Sequence, residues 1–515
     1  RAVEREGLAE RLVRVPVPPG RYQDLATDGE RLYWLAADLA EKPKRALQAL
    51  AVGRGEPEVK TVLGDVREFQ LSADGKKLLV RKGDDLHVFT AADKAPEELA
   101  KSKLDLAGWR FAFAPREQWR QMFAEAWRLE RDYFYDRSMH GVDWPAMRAK
   151  YEPLVERVTS RGELSDLLAQ MVSELGALHI FVFGGDLRAG ADPVEVASLG
   201  ADLVPDPAAG GLRVARLYRA DPDLPERLSP LAAPAVAARE GDVIEAIDGV
   251  PALSAPAAGA LLRGKAGRQV LLRIRPGAGG AARDAIAVPL SAEGDDELRY
   301  ADWKLSRRER VERQGGGRIG YVHLAAMGGE NYAEWAREFY PVYQREGLIV
   351  DVRHNNGGNI DSWILAKLLR KAWFFWQPRL GRPYWNMQYA FRGHVAVLID
   401  ESTASDGEAF AEGARRLGVG RLIGTRTWGG EIWLTASNRL VDKGIATAAE
   451  FGVYGPEGQW LIEGHGVDPD LEVDNLPAAT FRGEDAQLDA AIRYLEEKIR
   501  AEPVPLPPAP AYPRP

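Results

Sequence analysis

The sequence predicts a multidomain protein of β and α/β class: a strand-rich N-terminal part, a helical segment, a small β-rich unit, and an α/β core toward the C-terminus. Three observations carry that expectation. An Asp-Gly turn leading into a strand recurs 46 residues apart, from Asp28 to Asp74. Apolar residues at spacings of three and four run through Trp119, Met122, Phe123, Ala126, Trp127 and Leu129, the period of an amphipathic helix. Beyond residue 293, apolar strands alternate with helical stretches, which implies parallel strands joined by crossover helices. A chain of 515 residues is too long for one core and should hold about three or four domains.

Residues 1–105 read as strands. Thr27-Asp28-Gly29-Glu30-Arg31-Leu32-Tyr33-Trp34-Leu35 is echoed by Ala73-Asp74-Gly75-Lys76-Lys77-Leu78-Leu79-Val80, near the period of a β-propeller blade. Two blades cannot close a ring, so this part is expected to be the end of a propeller, a partial β-propeller. The plainer reading is two unrelated hairpins, because Asp-Gly is a common hairpin turn. The chain begins at Arg1 with neither a methionine nor a signal-peptide pattern, which reads as a fragment or a processed form.

Residues 106–193 are expected to be helical, with a second stripe at Leu164, Leu167, Leu168, Met171 and Leu175. The stripe ends at an apolar strand, Gly176 to Phe183, which His179 interrupts. Residues 194–292 are rich in Gly, Ala and Pro. There Ser198-Leu199-Gly200-Ala201 precedes a strand, Leu212–Leu217 follows, and Glu240–Gly249 is a strand bounded by turns. This unit resembles a PDZ domain, in which the matching loop can offer backbone amides to a C-terminal carboxylate beside an edge strand. Such inserted units often only gate or pack. Residues 293–500 form the α/β part, with strands at Ile319–Leu324, Leu348–Arg353, Val395–Ile399 and Arg421–Gly424 and helices between them. The proline-rich tail, 501–515, is expected to be extended and mobile.

Composition narrows the function. The net charge is -8 and no basic run is long enough to neutralise phosphates, which argues against nucleic acid as a partner. No apolar run reaches the roughly 18 residues of a membrane helix. The absence of cysteine excludes disulfides, Fe–S clusters and thiolate zinc sites. Seven histidines lie without ligand spacing, so neither a metal nor another cofactor is expected.

The residues that carry chemistry sit at strand ends and helix starts. Asp400-Glu401-Ser402-Thr403-Ala404-Ser405-Asp406-Gly407 follows an apolar strand and opens a helix. A serine there exposes its hydroxyl above the sheet, while the first amides of the helix lack acceptors and point at incoming negative charge. The plainer reading of Ser405 or Asp406 is a helix cap. A peptide hydrolase needs a nucleophile, a base, an orienter for the base and two donors for the oxyanion. Candidates for these places are Ser405, His179, Glu463, and the amides of Gly358 and Asp406. Sites of open α/β sheets assemble in this way beyond the carboxyl ends of strands, and a loop such as His354-Asn355-Asn356-Gly357-Gly358 lets amides approach a substrate closely.

Residues 115–500 resemble the tricorn family of serine proteases. The match runs from Tyr133-Phe134-Tyr135-Asp136 and His140-Gly141-Val142-Asp143-Trp144 through the PDZ-like unit. It continues through Asp351-Val352-Arg353, Gly357-Gly358, Ala404-Ser405-Asp406-Gly407, Gly424-Thr425-Arg426-Thr427-Trp428-Gly429-Gly430 and Glu463-Gly464-His465-Gly466-Val467-Asp468. The resemblance implies a crotonase-like, tricorn-type core with Ser405 as nucleophile, His179 as general base, Gly358 and Asp406 as the oxyanion hole, and Glu463 as the acid that orients the base. Gly357 and Trp376 then belong to the substrate side. It also implies peptide substrates, a homo-oligomer built as hexameric rings, and a cytoplasmic location, with periplasm or secretion left open.

Two departures set further expectations. The family carries a serine immediately before its histidine, where this chain has Leu178, so His179 is expected to be poorly oriented. The family selects a basic P1 side chain with an aspartate at the place of Trp376, and no Asp or Glu occurs from Ser362 to Ile399. Neutral P1 residues are therefore expected. The related carboxyl-terminal processing proteases use a Ser-Lys dyad, but the motif position is Gly430 and no lysine lies between Ser405 and Lys443. A non-catalytic peptide-binding scaffold is the alternative of another class, favoured by Leu178. Against it, losing an orienter costs about 10⁴-fold and still leaves measurable catalysis.

Overall fold

The Asp-Gly repeat marks equivalent turns in two small sheets. Strands β1 (Arg21–Thr27), β2 (Arg31–Ala37), β3 (Arg45–Ala51) and β4 (Val59–Gly64) form one antiparallel meander. Strands β5 (Glu68–Leu71), β6 (Lys77–Lys82) and β7 (Asp85–Thr90) form another. Asp28 opens the β1–β2 turn by accepting the amides of Glu30 and Arg31 at 2.8 and 2.6 Å, and Asp74 accepts that of Lys76 at 3.1 Å between β5 and β6. Tyr33, Leu47, Phe69, Leu78 and Phe89 share one core. The two meanders are separate sheets of four and three strands, and no closed propeller ring forms among the described residues.

This architecture is that of a computed structural model, which describes residues 6–7, 15, 17–38, 44–53, 58–188, 190, 192–224, 227–435 and 439–511. Arg1 and the last four residues of the tail lie outside the described set. The chain divides into two units, 1–113 and 114–515.

The second unit opens with α1 (Pro115–Tyr133), α2 (Trp144–Tyr151) and α3 (Arg161–Ser173). Pro115 stands at the first turn of α1, where its missing N–H costs nothing, and the Ser160 side chain caps α3 by accepting from Glu163 N. The two predicted stripes meet: Met122, Phe123 and Trp127 pack with Leu164, Leu168 and Met171. Trp127 and Trp144 stack, each indole N–H donating to the other's carbonyl at 3.0 Å. The apolar strand expected around His179 is shorter than its sequence suggests. Only Val182–Phe183 (β8) pairs as a strand, because the Leu178 and Phe181 amides donate to the side chains of Glu463 and Thr447 and not to a neighbouring strand.

The PDZ-like unit holds β9 (Ala201–Asp206), β10 (Gly211–Leu217), β11 (Val243–Ile247), β12 (Val250–Pro251), the short helix α4 (Ala258–Leu261), β13 (Val270–Arg275) and β14 (Arg283–Ala287). Its sheet runs β14-β13-β11-β10-β9, with β9 at one edge and β12 paired to β11.

The α/β core comprises α5 (Ala292–Gln314), β15 (Ile319–His323), α6 (Gly329–Phe339), β16 (Gly347–Asp351), α7 (Asp361–Leu368), the hairpin β17 (Phe375–Trp376) and β18 (Tyr384–Trp385), β19 (His394–Ile399), α8 (Asp406–Arg416), β20 (Arg421–Gly424), β21 (Trp433–Thr435), β22 (Ile445–Ala446), β23 (Ala448–Phe451), β24 (Leu471–Glu472), α9 (Pro477–Phe481) and α10 (Ala486–Ala501). Strands β15-β16-β19-β20-β24 pair in that order, all parallel. Both faces of this sheet are covered, as unbroken apolar strands require. Leu348, Val350, Val395 and Val397 face the core shared with α6, α7 and α8, whereas Ile349, Ala396 and Leu398 face the core shared with α5 and α10. Helix α6 ends at Phe339, ahead of Pro341. Strand β22 pairs with β8, so the stretch that carries His179 is drawn onto the core. Beyond α10 the tail has no regular structure. His394 Nε2 bonds Glu502 O at 2.7 Å and Arg392 donates to Pro505 O at 2.8 Å, which ties the start of the tail to the core. No helix of the described residues is long and apolar enough to cross a membrane.

Candidate active site

Three loops leave the carboxyl ends of neighbouring parallel strands and are knitted together there. The loop after β16 and the loop after β19 are joined by Thr403 Oγ1 donating to Val352 O at 2.8 Å and Ala404 N to Asn355 O at 2.8 Å. The loop after β20 joins them through Trp428 N donating to Thr403 O at 3.0 Å.

Ser405 stands at the first of these junctions, immediately before α8. Its φ of 56° and ψ of -129° are unfavourable for a residue with a Cβ and cost about 1–3 kcal/mol, which the surrounding contacts must hold. One such contact is its own amide, which donates to Glu408 Oε2 at 3.1 Å. The glycine loop approaches so closely that a Cβ on Gly357 would stand 2.4 Å from that of Ser405. A Cβ on Gly358, where φ is +154°, would stand 2.0 Å from Met327 O. Larger residues are therefore excluded at both positions. Gly357 N is engaged by Asn355 Oδ1 at 2.8 Å, whereas the amides of Gly358 and Asp406 have no acceptor among the described residues. Two amides without acceptors thus lie on the two loops that meet at Ser405, one beside Gly357 and one directly after Ser405.

The Asp406 carboxylate joins the two amide-bearing elements, because its Oδ2 accepts from Ile360 N at 2.7 Å and Asp361 N at 3.0 Å. Burial and the neighbouring Asp361 carboxylate push the Asp406 acid up to about 7. Glu408, fully buried, accepts from Ser405 N, the Thr427 hydroxyl, Gly429 N and Gly430 N. Burial still raises its pKa, against those donors. Glu431 is buried as well, with Oε2 lacking a partner, and burial followed by the charges of Glu408, Asp406, Asp361 and Glu463 pushes it up to about 9.

His179 packs against Trp428. Its buried ring meets the Trp428 and Phe181 rings edge-on, with centroids 5.5 and 5.9 Å away. Glu408 anchors the loop of Trp428 to the Ser405 turn, so base and nucleophile candidates belong to one packed assembly. No hydrogen bond joins the Ser405 hydroxyl to the imidazole, and Nδ1 has no partner among the described residues. Burial pulls His179 below its ordinary pKa, opposed by the Glu463 carboxylate and the Ile432 backbone.

Glu463 differs from its expected place. Its Oε1 accepts from Leu178 N at 2.9 Å and its Oε2 from Glu431 N and Ile432 N at 2.8 and 3.1 Å. Its carboxylate therefore holds the main chain of Leu178, Glu431 and Ile432, with no hydrogen bond to the imidazole among the described residues. Trp376 is half exposed in the β17–β18 hairpin, packed on Phe374 and Tyr384, and among the described residues it has no ring or hydrogen-bond contact to the Ser405 turn. Sequence reasoning passed over Glu408, Trp428, Glu431 and Thr447. Glu408 was within reach of it, since Ser-x-x-Glu at a helix start is a capping-box signature.

Residues 318–473 match the family model of Peptidase family S41, residues 115–173 that of the Tricorn protease C1 domain, and residues 197–292 that of the Tricorn protease PDZ domain. Tricorn protease homolog 1 of Streptomyces coelicolor is 34% identical over 525 residues, which cover 98% of this chain and 48% of the relative. Tricorn protease of Thermoplasma acidophilum is 32% identical over 443 residues, covering 86% of this chain and 40% of the relative. The crystal structure of the tricorn protease superposes with a TM-score of 0.83 at 29% identity, over 94% of this chain and 47% of that one. The chain spans about half the length of the curated relatives it matches.

Proposed function

The chain belongs to the tricorn protease family, and on that premise we propose that it is a serine peptidase hydrolysing oligopeptides through an acyl-enzyme on Ser405. The observation that carries this reading is the strained Ser405 turn, packed against the glycine loop, together with the Gly358 and Asp406 amides, which have no acceptor among the described residues. His179, neutral at pH 7, takes the Ser405 hydroxyl proton as Oγ attacks the scissile carbonyl. The amides of Gly358 and Asp406 receive the oxyanion. The imidazolium then protonates the leaving amine, and a water activated by the same base hydrolyses the ester and restores Ser405. Ser405→Ala and His179→Ala are each expected to abolish hydrolysis of short peptides with little change in melting temperature. A fluorophosphonate should label the native chain at Ser405 and leave the Ser405→Ala variant unlabelled. Full activity in Ser405→Ala, or an unlabelled native chain, would overturn the reading, and the second result would favour the scaffold alternative.

We also propose a preference for neutral P1 side chains. A basic residue buried without a carboxylate costs several kcal/mol, and the span from Ser362 to Ile399 offers none. Asp361, just ahead of it, has its carboxyl engaged by Ser362 and set against that of Asp406. On fluorogenic peptides differing only at P1, kcat/KM should be higher for Ala, Leu or Phe than for Arg or Lys; the reverse order would reject the preference. A homo-oligomer, hexameric by family resemblance, is part of the same proposal.

A further inference from the structure

The residue before His179 is Leu178, whose side chain has neither donor nor acceptor, so the histidine must be held in another way. Around it three observations converge. Thr447 is 1% exposed, and its hydroxyl accepts from Phe181 N at 2.7 Å and donates to His179 O at 3.3 Å. Its own amide donates to Phe181 O at 2.9 Å. The ring of Phe181 stacks on Trp428 with 7° between the planes, and both rings meet His179 edge-on.

We infer that Thr447 is a positioning residue for His179, its hydroxyl fixing the main chain of the base and of the aromatic wall beside it. The inference rests on the reading of Ser405 as nucleophile and His179 as base. On the upstream side Glu463 holds Leu178 N. Downstream, Asp442 holds Asp186 N at 3.1 Å and is itself fixed by the buried Arg161 at 2.6 Å. Within this stretch Thr447 bonds the main chain of His179 itself. The clamp acts on the backbone, and packing against Phe181 and Trp428 carries that constraint to the ring. A hydroxyl at position 178 then has little left to do.

The test compares Thr447→Val, which keeps the shape and removes the hydroxyl, with Thr447→Ser, which keeps the hydroxyl. Thr447→Val should lower kcat about tenfold, the effect of one lost hydrogen bond on a placed group, with KM changed less than about twofold. Thr447→Ser should restore kcat to within about threefold of the native value. Leu178→Ser should leave kcat within about twofold. Thr447→Cys, with a weaker donor and acceptor, should give an intermediate kcat and serves if Thr447→Val does not fold. The inference is overturned by a native kcat in Thr447→Val or Thr447→Cys, by equal losses in the Val and Ser variants, or by a large gain in Leu178→Ser. Fluorophosphonate labelling of the native chain at Ser405, read in the same series, tests the underlying reading separately.

Discussion

At His179 two effects oppose each other, and if it is the base proposed above, their balance sets the pH dependence of hydrolysis. Burial disfavours the imidazolium, while the Glu463 carboxylate favours it. Burial is the largest of the influences and outweighs the Glu463 carboxylate and the Ile432 backbone, which both favour the charged ring. The base works when neutral, so activity is kept as pH falls until the lowered pKa is reached and is lost below it. The acid limb of kcat/KM should therefore have its midpoint below the ordinary imidazole value of about 6.5. Glu463→Gln should move it lower still, since the opposing charge is then gone. A midpoint at or above the ordinary value would show that a carboxylate, and not burial, controls the base.

Among the elements, α10 and β16 depend on each other through a buried charge. Asp485 caps α10 by accepting from Leu488 N at 3.0 Å and also pairs with Arg353 at 2.8 Å. Arg353, just beyond β16 and 2% exposed, pairs with Asp351 as well. Burial alone would raise the Asp485 pKa, but the Arg353 guanidinium, joined by the Leu488 amide and the Asn475 side chain, holds the carboxyl below its usual range. Asp485→Ala should lower the unfolding free energy by about 3–5 kcal/mol, because it removes the cap and leaves a buried cation short of a partner. Asp485→Asn keeps a capping oxygen and should lose less; the difference, read by denaturant unfolding, separates cap from charge. Equal losses in both variants would mean that the cap contributes nothing.

For the whole molecule, the exposed apolar side chains bear on assembly. Trp373, Trp376 and Leu380 are 71%, 50% and 87% exposed within about one hairpin of each other, and surfaces of this kind commonly mark contacts between chains. Light scattering after size exclusion should give a multiple of the chain mass, six for the hexamer proposed above. Leu380→Ser with Trp373→Ser should shift it to smaller species. A monomer in the native preparation would reject the oligomer, and an unchanged mass in the double variant would place the contact elsewhere.

The sequence by itself determined the succession of elements, because the signals for them are local: the three-and-four spacing of α1 and α3, the Asp-Gly turns, the apolar strands β16 and β19, and the serine at a strand-to-helix turn. It also brought Ser405, Gly358 and Asp406 to one place, since each follows a parallel strand and strand ends share an edge. The tertiary structure alone decided how His179 is held. Thr447, Glu463 and Trp428 reach it from segments more than two hundred residues away, Thr447 beside the pairing of β8 with β22, Glu463 through Leu178 N and Trp428 by ring packing. No local period encodes such a pairing, because two-residue strands are selected by the packing that surrounds them. The same holds for Glu463, whose carboxylate reads in sequence as a partner for an imidazole and in the fold is taken up by three backbone amides.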